Sequence, residues 1–374
     1  MLISKLNRMK RAWLVVVPMA ILALAQSASA QFYQETNLVS DVPGLASFTD
    51  TNLVGAWGIT RSPASPWWVN STLGGVSLLF DGAGQPFPTN NPLVVAIPPV
   101  PATATAIAFN GGSGFQVQSN KPAIFIFTTL NGTISGWNPG QTNRLLAVLE
   151  VDNSGKAGYT GLTIAQRNGA DFLYAANYLG NKIEVFDTAF NPVVLPSGAF
   201  ADADIPDGLS VFNVQSLKGA LFVTYAPTNV FGNGTAPGQG FVDVFDPDGT
   251  LLGRLKHGRW MDAPWGVTLA PANFGHFSDK ILVGMFGSGQ IAAFDTKHGN
   301  FHGLLEGADG LPLTIGTGKG LWGLDFGNGA TAGPTNALYF ASDVASTNGF
   351  HGIFGAITPL PPMEDSDEDR GGDQ

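Results

Sequence analysis

Six times along the chain a short apolar strand runs into a Phe-Asp or related turn, and the segments around those turns resemble one another. The series begins with Val76-Ser77-Leu78-Leu79-Phe80-Asp81 and Gly132-Thr133-Ile134-Ser135-Gly136-Trp137-Asn138. It continues with Lys182-Ile183-Glu184-Val185-Phe186-Asp187 and Phe241-Val242-Asp243-Val244-Phe245-Asp246. Gln290-Ile291-Ala292-Ala293-Phe294-Asp295 and Gly352-Ile353-Phe354-Gly355 complete it. Successive turns lie roughly 49 to 60 residues apart, the mark of a chain that stacks one supersecondary unit many times.

Each unit reads as four short strands. The innermost is Ala56-Trp57-Gly58-Ile59-Thr60 in the first unit, Pro264-Trp265-Gly266-Val267-Thr268 in the fifth and Leu321-Trp322-Gly323-Leu324-Asp325 in the sixth. A second strand such as Leu221-Phe222-Val223-Thr224-Tyr225 precedes the strand that ends in the turn. Outer strands such as Leu93–Ile97, Leu145–Leu149 and Leu251–Leu255 follow it. Antiparallel four-stranded sheets set radially about an axis form a β-propeller, here all-β with six blades. Unit six stops near Pro359 without an outer strand, whereas Thr36–Pro43 is an outer strand without a unit. Pairing the N-terminal strand with the last blade closes the ring and removes two exposed edges. The hairpin residues Asp81, Asp187, Asp246 and Asp295 suit Asx-turns, in which the carboxylate accepts from the backbone two residues on. Asp246-Pro247-Asp248-Gly249 opens like a calcium loop, but its twelfth position is His257 rather than Glu.

Residues 1–30 read as an export signal. Lys5, Arg8, Lys10 and Arg11 precede an apolar run from Ala12 to Ala25, and Ala28-Ser29-Ala30 is an A-x-A cleavage site. Cleavage after Ala30 leaves one domain over 31–360 and an acidic tail, 361–374, expected to be disordered. Losing those four basic residues takes the net charge from −10 to −14. A chain so acidic repels phosphate backbones and anionic lipid, so neither nucleic acid nor, after cleavage, a membrane is an expected partner. With no cysteine, disulfide and thiol chemistry are excluded. The expectation is a secreted or periplasmic monomer.

Several motifs resemble an uncharacterised family of exported bacterial propellers, some of which end in a PEP-CTERM sorting signal. They are Asn37-Leu38-Val39-Ser40-Asp41, Ala56-Trp57-Gly58-Ile59, Gly132-Thr133-Ile134-Ser135-Gly136-Trp137-Asn138-Pro139-Gly140 and Leu173-Tyr174-Ala175-Ala176-Asn177. Gly240-Phe241-Val242-Asp243-Val244-Phe245-Asp246 and Ala263-Pro264-Trp265-Gly266 join them. The resemblance implies fold and export but no activity. No Pro-Glu-Pro motif, apolar helix or basic stop follows Pro361, which favours free secretion or periplasmic residence. A looser likeness runs to NHL-repeat and gluconolactonase-like propellers. The latter implies a divalent metal, calcium or another, held by a Glu, two Asn and an Asp. The Glu residues of the mature chain, at 35, 150, 184, 306, 364 and 368, enter no inner strand, so that set is not carried over intact.

Loops joining second to third strands share one face with loops entering the next inner strand, around one mouth of the channel. Loops on a rigid scaffold are where binding groups gather. Asn70, Asn177, Asp207, Tyr225, Asp262 and Asp343 fall on that face, as do Asp50, Asn52, Thr128, Tyr159, Ser288 and Lys319. Trp265 and Trp322, with Trp57, either pack between blades beside their glycines or form an aromatic rim that stacks on a flat ligand. The five histidines show no HExxH or similar spacing, and no G-x-S-x-G elbow occurs. The expected role is therefore a binding or interaction module for an extracellular glycan, small molecule or protein. A metal-dependent lactone or ester hydrolase is the alternative, and a structural envelope or matrix protein the third.

Overall fold

The computed structural model describes residues 31–361 except 233, 317, 347 and 348. The expected export signal, 1–30, and the expected acidic tail beyond residue 361 lie outside the described residues. Six antiparallel sheets follow one another along the chain, and the sheet of the sixth blade also takes in the N-terminal strand. Blade 1 comprises Ala56–Thr60, Trp67–Ser71, Val76–Phe80 and Val94–Ala96, from the axis outward. Blades 2, 4 and 5 repeat the plan from inner strands Ala104–Phe109, Leu209–Leu217 and Pro264–Leu269. Blade 6 is Leu321–Phe326, Leu338–Ser346 and Gly349–Pro359. Tyr33–Ser40 completes blade 6 antiparallel to Gly349–Pro359, from Tyr33 against Pro359 to Ser40 against Ile353. The ring is thus closed by the N-terminal strand.

The core is split into wedges between neighbouring blades. Trp67, Val69 and Phe80 of blade 1 pack against Tyr339, Ala341 and Phe354 of blade 6, and Trp68 and Leu79 pack against Phe125 and Phe127 of blade 2. The Phe-Asp turns carry out the backbone bonding foreseen for them. Oδ1 of Asp81, Asp187, Asp246 and Asp295 accepts the N–H two residues on, each at 2.9 Å. A second acceptor bond reaches Gln85, Asn191, Thr250 and Asn300 respectively, so a single side chain fixes each hairpin.

Three strand expectations change. Blade 3 has three strands, Tyr159–Arg167, Ala170–Asn177 and Lys182–Phe186, rather than four. After a single bridge from Phe186 to Pro192 the chain leaves the sheet, because Pro192 and Pro196 have no N–H to extend the ladder. The outer strand of blade 2 is Val148–Asp152, not 145–149. Leu145 and Ala147 are instead bonded to Ala96 of blade 1, at 2.8 and 2.9 Å. The closing strand runs over 33–40 instead of 36–43.

Every inner strand carries an irregularity at the same height. The register shifts between Ala56 and Ile59, Tyr159 and Gly161, Val211 and Asn213, Pro264 and Val267, and Leu321 and Leu324, and at Ala104–Ile107 in blade 2. An extra residue bends a strand and re-aims a side chain. The residues inside these bulges include Trp57, Thr105, Thr160, Phe212, Trp265 and Trp322, in blade order. Trp57 and Trp322 stack with centroids 3.6 Å apart, and Trp265 meets Trp322 edge-on at 5.8 Å. The Trp265 indole donates to the Thr160 carbonyl of blade 3, two blades away, at 3.1 Å. Together with Phe212, which lies 5.6 Å from Trp322, these rings form an aromatic plug within the channel.

Candidate functional site

Above the plug, at the mouth formed by the second-to-third-strand loops, lies a cavity of about 520 Å³. Its walls are mostly apolar: Trp57, Trp322, Phe286, Phe231, Leu73, Leu130 and Phe350. Leu73, Phe231 and Phe350 remain exposed at its rim, at 54%, 46% and 55% of their area. Polar groups enter it at few points, chiefly Thr72, Lys319 and Asp343. A largely pre-formed apolar concavity with a few convergent polar atoms is what a small-molecule site requires.

The polar atoms there are incompletely bonded. Asp343 Oδ2 accepts the Trp322 indole N–H at 2.8 Å, while Asp343 Oδ1 has no hydrogen-bond partner. Thr72 Oγ1 and Trp57 Nε1, both on buried residues, also have none. Gly55 makes the gap between them. A Cβ there would lie 3.3 Å from Asp343 Oδ1 and 3.9 Å from Thr72 Oγ1. Its φ of +71° is a second reason for glycine at this position. Burial pushes the Asp343 carboxyl up to about 7, opposed by the Trp322 donor and by the Ala56 amide, which comes near the carboxylate without making a hydrogen bond of normal geometry. Buried polar groups are usually paired, because an unpaired one forfeits its bond to water; three unpaired ones border this cavity, and others, such as Ser77, Ser135 and Thr224, lie within the blades.

Lys319 spans one side of the mouth. Its Nζ donates to Gly232 O at 2.9 Å and stands 5.7 Å from the centroid of Phe286. Asp262 adjoins this corner, beneath Gly287, with its Oδ1 also unpartnered. Burial raises its carboxyl, opposed by the charge of Lys319 and the Ala236 amide.

The residues singled out from sequence separate into three groups. Trp322 and Asp343 line the mouth, and Asp262 lies beside it. Asn70, Asn177 and Trp265 are turned into backbone bonding. Asn70 Nδ2 donates to Thr105 O and Ala106 O of the next blade, at 3.0 and 3.2 Å. Asn177 Oδ1 accepts from Gly158 and Gly180, and its Nδ2 donates to Glu184. Asp207 and Tyr225 line a separate hollow of about 340 Å³ bordered by blades 3 and 4, away from the channel. Thr72, Leu73, Phe231 and Phe286 were not anticipated as lining residues. A large apolar residue in an otherwise polar turn, as at Leu73, was the available signal.

These positions bear on the metal site that gluconolactonase-like propellers imply. The donor set is not assembled: Asn177 Oδ1 already accepts two backbone N–H groups, and Asn70, whose Oδ1 is unpartnered, is held by Nδ2 against the next blade. Among the described residues no three His, Asp or Glu side chains converge as a metal site would require. His298 and His302 each approach Asp295 only to 3.9 Å, and that carboxylate already accepts three backbone N–H groups.

No family model matches the chain. It is similar to uncharacterized proteins of Acanthamoeba polyphaga mimivirus. One is 31% identical over 234 residues, 59% of this chain, and the match spans only 42% of that protein's length. Another is 28% identical over 310 residues, covering 76% of this chain and 77% of its own. Among solved structures, a streptogramin B lyase superposes with a TM-score of 0.50 at 14% identity, covering 89% of this chain and 99% of its own. A protein of unknown function from Bacteroides thetaiotaomicron gives a TM-score of 0.53 at 9% identity, covering 87% and 76%. At such identities the likeness is one of fold alone. The chain is a six-bladed β-propeller.

Proposed function

We propose that this protein is an exported binding module that takes a small molecule with an apolar body into the channel mouth. The observation that carries the reading is the cavity above the aromatic plug, whose lining residues Thr72, Trp57 and Asp343 each carry a buried polar atom without a partner. A ligand that bonds to those atoms also buries aromatic surface already held in place. The export signal, the acidic charge and the resemblance to exported bacterial propellers support a site that works outside the cytoplasm. The metal-dependent hydrolase reading has less support, because Asn177 is tied into the fold and no three His, Asp or Glu side chains converge among the described residues.

The test uses chain beginning at Gln31, with thermal unfolding and tryptophan emission read against a set of small aromatics, sugars and amines. A ligand at about 100 times its dissociation constant stabilises by about 2.7 kcal/mol, several degrees for a domain of this size. Thr72→Trp, which fills the cavity, is expected to abolish both responses. Ligands that act equally on wild type and Thr72→Trp, or a complete absence of response, would overturn the reading.

A further inference from the structure

Resting on the mouth as a small-molecule site, we infer that its ligand is an organic ammonium: a primary or secondary amine, charged, on an aromatic or branched apolar body. Asp343 Oδ1 and Thr72 Oγ1 flank the same gap at Gly55 without partners, and Thr72 is only 7% exposed. A carboxylate oxygen only accepts and a threonine hydroxyl can accept, so a group with two or more N–H donors satisfies both at once. A quaternary ammonium has no such donors.

The walls point the same way. Aromatic faces attract a cation, more strongly where water is excluded. Lys319 already places its own ammonium 5.7 Å from the Phe286 ring, so the aromatic wall beside the cavity accommodates that charge. Asp262 and Asp343 contribute two carboxylates to this corner against one lysine, whose Nζ is partly engaged by Gly232 O. The excess is negative, as is the whole chain at −10, and it favours the approach of cations over anions. A sugar is served poorly, because its ring of hydroxyls meets Thr72, Asp343, Lys319 and otherwise apolar side chains.

The test is calorimetric titration of chain beginning at Gln31, at mildly alkaline pH, with 2-phenylethylammonium, 2-phenylethanol and phenylacetate. The ammonium is expected to bind at least about tenfold more tightly than the alcohol, and the anion not at all. Asp343→Asn is expected to cost the ammonium far more than the alcohol and so to erase that preference, and Thr72→Val to weaken the ammonium. Circular dichroism and the unfolding midpoint confirm that each variant folds. Equal affinity for ammonium and alcohol, unaffected by Asp343→Asn, overturns the inference on ligand class but leaves the mouth as a site if Thr72→Trp abolishes both. No binding by any probe, or binding that survives Thr72→Trp, overturns the mouth itself.

Discussion

One oxygen of Asp343 is bonded to Trp322 and the other has no partner, and this asymmetry sets the energetics of the residue. Its carboxyl is pushed up to about 7, above the ordinary value that the unfolded chain retains. The folded form therefore holds a proton that the unfolded form releases. Its cost to stability is absent below the unfolded value, grows as pH rises from about 4 to about 7, and stays constant above that. Asp343→Asn keeps an acceptor for the Trp322 indole and removes the charge. We expect it to raise stability above pH ~7 by on the order of 2–4 kcal/mol and to change little below pH ~4, as denaturant unfolding will show. An equal effect at both ends would mean that the carboxylate is solvated. The sequence marked Asp343 by its place in a loop, but equally Asn70 and Asn177, whose partners could not be read from it. Asn70 bonds to Thr105, 35 residues on in the next blade, and only the assembled ring brings the two together.

At the scale of the strand, the bulge in the inner strands of blades 1, 3, 5 and 6 and the glycine at it form one device. Gly58 faces Thr105 and Ala106, Gly161 faces Asn213, Gly266 faces Trp322 and Leu324, and Gly323 faces Trp57 and Ile59. None needs a positive φ, so close approach of neighbouring blades is what glycine supplies. A Cβ on Gly266 would lie 2.4 Å from the Trp322 carbonyl oxygen, a backbone atom with little freedom to yield. Gly266→Val should cost about 1–3 kcal/mol through overpacking and disturb the mouth through Trp322. Gly253→Ala, with nothing within 4 Å of its Cβ, should be close to neutral. Equal midpoints for the two variants would refute the close-approach account. The Phe-Asp hairpins were legible because an Asx-turn closes within five residues. The outer strands of blades 2 and 3 were not, since neighbouring backbone and proline placement decide them.

For the molecule as a whole, several half-buried or buried carboxylates share the behaviour of Asp343. Burial raises Glu35 to about 7 and also raises Glu150 and Asp262, and each costs stability as pH climbs above the ordinary carboxylate value. The turn aspartates oppose them: backbone N–H groups lower Asp295 to about 2 and lower Asp187. Their support is present above the ordinary carboxylate value and fades as pH falls toward about 2. The unfolding midpoint should therefore peak at mildly acidic pH and decline on either side, which a calorimetric pH series checks. A midpoint that rises steadily to alkaline pH would contradict this sum. Ring closure was legible in the sequence because a blade without an outer strand and an outer strand without a blade occupy opposite ends of the repeat. The cavity was not legible, because its wall draws on five blades and depends on how far each loop leans over the axis.

The closing strand also fixes the order in which the molecule can be completed. Tyr33–Ser40 leaves the ribosome early, yet its partner, Gly349–Pro359, is made some three hundred residues later; the nearby bond from Gln31 to Leu360 spans 329 positions. Until that partner arrives, both ends of the growing array are open sheet edges with unpaired backbone. Contacts of such separation form slowly, because a long loop must close before it yields any bonding. A chain cut short anywhere before blade 6 never closes. It is left with the adhesive edges that the finished ring conceals, so completeness of synthesis is written into the fold as a condition of solubility.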